Sequence, residues 1–153
     1  MQIFLGIIPF CILLFGCSQE TNGQKMKDVL GEDVTRQILN PAQVEAIAVE
    51  PDLQSVRGYR MKGHQQKLTS TQIQHLQSLL LDQKGYVLDK HKRCVFMPNA
   101  AFLFSDNAPL VVLVGTSCQQ IKFIIRDKSV IIDFEAVQKP WEQFIQGLNL
   151  NHE

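Results

Sequence analysis

Apolar residues fall into distinct patterns along the chain: an unbroken run at the start, helical spacing in three places, and alternation through the last third. Met26, Val29, Leu30, Val34 and Ile38 recur at three- and four-residue intervals and predict a helix over Met26–Leu39. Asn40-Pro41 stops it, because a residue preceding proline is pushed out of the helical region. Gln43–Glu50 alternates weakly and predicts a strand, and Val56–Met61 a second, interrupted by Gly58. Thr69 or Ser70 then caps a helix with Ile73, Leu76, Leu79 and Leu80 as its buried stripe and Gly85 as its stop.

The C-terminal part is more regular. Ala100–Ser105, Leu110–Gly115, Gln119–Arg126 and Ser129–Phe134 read as strands, separated by Asp106–Pro109, Thr116-Ser117 and Asp127-Lys128. Strands so close in sequence pair antiparallel, since a parallel pair needs a long crossover. Pro140 opens a last helix, in which Trp141, Phe144, Ile145 and Leu148 share one face. At this spacing Trp141 and Phe144 read as core rather than as a ligand groove. The predicted fold class is α+β: an antiparallel β-meander sheet with about three helices packed on one face.

The N-terminal run has a different character. Met1–Gln19 carries no charged side chain, and Ile3–Phe15 is almost wholly apolar. A run of this length is short for a membrane-spanning helix, which needs about 20 residues, but it matches the core of an export signal. It ends in Leu14-Phe15-Gly16-Cys17, which resembles the lipobox of bacterial lipoproteins. That resemblance implies cleavage after Gly16, a diacylglycerol on the Cys17 thiol and a mature protein held to the membrane by lipid. A small residue at the cut admits the backbone to the peptidase. The run departs from the pattern in having no Lys or Arg before it. The expected organisation is a signal over residues 1–16, a polar tether over 17–25 and one domain over 26–150. In that family a residue other than Asp after the cysteine, here Ser18, favours the outer membrane of a cell that has one.

Export changes how the cysteines read. Cys11 leaves with the signal and Cys17 carries lipid, so Cys94 and Cys118 remain, and an oxidising compartment favours their pairing. If Ser105 faces Pro109 across their turn, the register carried onward sets Cys118 opposite Phe96, two residues from Cys94. A bridge there would add about 3 kcal/mol by restricting the unfolded chain. Two other readings stay open. His91, Cys94 and Cys118 offer three zinc ligands, with His64 or His75 as a fourth, or the thiols are free and exchangeable. Cys94–Phe104 and Val114–Cys118 also resemble small exported bacterial proteins of uncharacterised function, some of which carry a further cysteine where this chain has Gly115.

Charge narrows the function. Lys+Arg and Asp+Glu are balanced at 15 each, leaving no basic excess for a nucleic acid backbone. Lys90-His91-Lys92-Arg93 is the densest basic run, read as a solvated turn and, secondarily, as a surface for anionic headgroups. The carboxylates are scattered. Asp106 and Asp127 suit turns, and Asp133 is expected to be solvated or at a helix start. No nucleophile elbow or phosphate-binding glycine loop occurs, which points away from catalysis and leaves no cofactor to expect. The expectation is a lipid-anchored envelope protein that binds another envelope protein or a cell-wall component. A membrane-tethered inhibitor or immunity-type protein, and a thiol or metal enzyme using Cys94 and Cys118, are the alternatives.

Overall fold

The computed structural model describes residues 23–52, 54–55, 58–88, 92–106 and 108–150, with side chains from 27 onward. The expected signal, Cys17, Lys90 and His91 lie outside the described residues.

Seven antiparallel strands form one sheet, in the order β2-β1-β4-β5-β6-β7-β3. They are β1 (Gln43–Pro51), β2 (Tyr59–Lys67), β3 (Tyr86–Val87), β4 (Ala100–Ser105), β5 (Leu110–Gly115), β6 (Gln120–Ile125) and β7 (Lys128–Phe134). The helices are α1 (Gly23–Leu30), α2 (Glu32–Leu39), α3 (Ser70–Leu81) and α4 (Gln138–Gly147). The α+β meander read from the pattern is thus present, with β4 to β7 consecutive neighbours. Phe104 faces Leu110 and Ala100 faces Val114, the register expected from the turn.

Three elements differ from expectation. The single N-terminal helix is two, because Gly31 at φ 84° breaks the ladder. The first begins at Gly23, inside the stretch expected as tether. The second strand lies over Tyr59–Lys67 rather than Val56–Met61. It is an edge strand with nearly every residue exposed, so no apolar alternation marks it. Extra residues around Gly63, at φ 76°, bulge it between Lys62 opposite Ala48 and Gln66 opposite Ala46. Finally, β3 is only two residues long and follows a 3-10 turn over Gln83–Gly85, beyond the end of α3 at Leu81.

Alternation along the strands sends Ala46, Phe102, Val112, Phe123 and Phe134 to the face that the helices cover. Trp141 is fully buried there, with Phe102, Phe134 and Phe144 around it at centroid separations of 5.8 to 6.3 Å within the cluster. Polar side chains fasten the helices. Thr69 and Gln72 form a reciprocal cap on α3. The Gln77 amide donates to the Ile38 and Leu39 carbonyls at 2.8 and 3.0 Å, closing the end of α2. The Tyr86 hydroxyl donates to the Leu79 carbonyl at 2.8 Å. Burial raises the Tyr86 phenol above its usual ionisation range. The Trp141 indole N–H approaches it without a well-formed hydrogen bond and opposes that rise, while Asp82 adds to it.

Candidate functional site

The face opposite the helices has a smaller core of Ile47, Val49, Tyr59, Ala101 and Leu113, with Phe96, Leu103, Val111 and Ile124 packed at its border. Phe96 reaches that border from the connection between β3 and β4. β3 lies at one edge of the sheet and β4 in the middle, so the connection between them must cross β7, β6 and β5. The strap over 92–99 makes that crossing without regular structure.

Side-chain and backbone contacts pin the strap in several places. The Lys92 amide donates to Asp133 Oδ2 at 2.6 Å, and the Gln120 amide donates to Asp133 Oδ1 at 2.8 Å. Asp133 is therefore buried, 1% exposed, not solvated as its sequence context suggested. It does occupy the predicted face, away from Ile132 and Phe134; the strap arriving from a distant part of the chain removes it from water. The Lys92 ammonium donates to Gln119 Oε1 and lies 3.6 Å from the Glu135 carboxylate. Next, a disulfide joins Cys94 to Cys118, with Cα atoms 6.1 Å apart, within the normal span for such a bridge.

Beyond the bridge, the Met97 carbonyl passes over Gly115 so closely that a Cβ there would stand 2.7 Å from its oxygen. Asn99 closes the crossing: its amide donates to the Val114 carbonyl at 2.9 Å, and its side-chain oxygen accepts from the Thr116 amide at 3.2 Å.

The proposed zinc set is not assembled among the described residues, where no group of three His, Cys, Asp or Glu could hold a metal ion. His64 lies on the exposed edge strand, and His75 packs edge-on against Phe144 at 4.8 Å, on the helical side of the sheet. His91 is outside the described residues.

A groove of about 570 Å³ opens on the strapped face. Val111 and Ile124 form its floor, and Tyr59 bounds it. Lys122, Arg126 and Lys128 line it, with Asp127 as the one carboxylate among its lining residues. Lys122 is half-buried, flanked across the strands by Leu113 and Ile131. Among the described residues none of these three cations has an ion-pair partner. A second hollow of about 470 Å³ beside α2 shares Arg126, Asp127 and Lys128 with the groove and adds Arg36 together with Glu32, Asp33 and Asp106. The first groove was not anticipated, although alternation along Gln120–Ile125 does place Lys122 on one face with Ile124.

Fold and site together define an α+β protein with one sheet face under helices and a disulfide-pinned strap across one end of the other. No protein-family model, curated protein or solved structure matches the chain.

Proposed function

We propose that the chain is a lipid-anchored protein of the bacterial cell envelope, exported by residues 1–16 and held by lipid on Cys17, whose domain is a non-catalytic binding module. The observation that carries this reading is the Cys94–Cys118 disulfide, a bond that persists in oxidising compartments and is rare in the cytosol. The run ending in Leu14-Phe15-Gly16-Cys17 supplies the route to such a compartment. The binding role is supported by the groove on the strapped face, whose volume lies within the range of small-molecule sites.

Expression of the full chain in bacteria fed labelled palmitate tests the anchoring. The wild-type chain should take up label and appear in the membrane fraction, and Cys17→Ala should lose the label and accumulate as unprocessed precursor. Label retained by Cys17→Ala, or unchanged processing, would overturn the reading.

A further inference from the structure

We propose that the groove beneath Tyr59 binds a single-chain amphiphile with a phosphate head, the aliphatic body lying on Val111 and Ile124 and the head held by Lys122, Arg126 and Lys128. This deepens the binding-module reading and rests on it.

The chemistry follows from the lining. An apolar floor gives a hydrocarbon body a place out of water, whereas a purely polar anion would leave that floor uncovered. Three cations and one carboxylate line the groove, and of the cations Lys122 belongs to it alone, while Arg126 and Lys128 also border the hollow that holds Glu32, Asp33 and Asp106. A phosphate monoester carries close to two negative charges and three acceptor oxygens, and so can engage several of these donors together. Lys122 is the most informative of them. It stands half-buried in a row between Leu113 and Ile131, so that its stem lies on the apolar floor and its cation can meet an anionic head at the groove's rim.

Arg126 gives an independent indication. It occupies the two-residue turn between Ile125 and Lys128 at φ 52°, a backbone conformation that suits glycine and that side chains rarely adopt. The turn itself has no need of arginine, and glycine would form it with less strain. An arginine there places a guanidinium at the mouth of the groove, beside Lys128.

The test is calorimetric titration of the full chain in dodecyl maltoside with octyl phosphate, subtracting the protein-free micelle titration. Inorganic phosphate, octyl glucoside and a short polyglutamate peptide serve as comparison titrants. Octyl phosphate should bind saturably, and the other three should not. Arg126→Gly should weaken binding about tenfold, the loss expected for one charged hydrogen bond, while its melting temperature stays equal or rises. Lys122→Gln should weaken it similarly and make it less sensitive to salt. Equal binding of octyl glucoside, of inorganic phosphate or of the peptide overturns the proposal, as does undiminished affinity in a folded Arg126→Gly. Lipid on Cys17 plays no part in this titration. Its failure alongside successful palmitate labelling would therefore reject the site and leave the anchoring reading intact.

Discussion

Gly115 and Asp133 are residues whose roles come from the strap above them. A methyl group on Gly115 would meet the Met97 carbonyl, a backbone atom held by the neighbouring bridge and by Asn99. Gly115→Ala should therefore cost about 1–3 kcal/mol in urea unfolding, the usual range for overpacking. Asp133→Ala would leave the Lys92 and Gln120 amides without their acceptor. The expected loss is about 1–3 kcal/mol, with faster hydrogen exchange at the Lys92 amide specifically. Unchanged exchange there would show that Asp133 does not pin the strap. Neither role was legible in the sequence. Asp133 between two apolar residues fixes its face, but what covers that face comes from a segment some forty positions away. Gly115 likewise reads as the end of a strand until the passing carbonyl is seen.

Among the elements, legibility tracked burial. β4 and β5 fall where alternation put them because one face of each is wholly buried, and the capped α3 begins where Thr69 predicts. β2 was misplaced because an exposed edge strand need not alternate, and the break in the first helix turned on the φ of one glycine. The strap is held across one end of the sheet, and the disulfide attaches it there covalently. Cys94→Ser with Cys118→Ser should lower stability by about 3 kcal/mol, and a reducing agent should lower the wild type by a similar amount while leaving the variant unchanged. A variant as stable as the oxidised wild type would make the bridge incidental. The helical side should respond to alkali instead. The unfolded chain releases the Tyr86 proton above pH about 10, whereas burial holds it in the folded state. The unfolded state then binds fewer protons, so stability falls as pH rises beyond that point. Tyr86→Phe should flatten the decline, as read by denaturant midpoints across the alkaline range.

Across the whole molecule, the proposed lipid anchor and the disulfide are linked through export. A chain exported through a signal and retained by lipid on Cys17, as proposed, would meet the conditions under which Cys94 and Cys118 pair, and that pairing holds the strap across one end of the sheet. The fold class was open to sequence reasoning because periodicity reports burial, and the disulfide because register is arithmetic once a turn is fixed. The groove was not, because its lining comes from β2, β5, β6, β7 and the turn between the last two, which only the folded sheet brings together. The most direct measurement is the intact mass of the chain extracted from bacterial membranes, with and without reduction. The account predicts a chain that begins at Cys17, carries the mass of covalent lipid, and gains two hydrogen atoms on reduction. A chain that retains Met1, or one whose mass is unchanged by reductant and whose Cys94 and Cys118 alkylate directly, would contradict it.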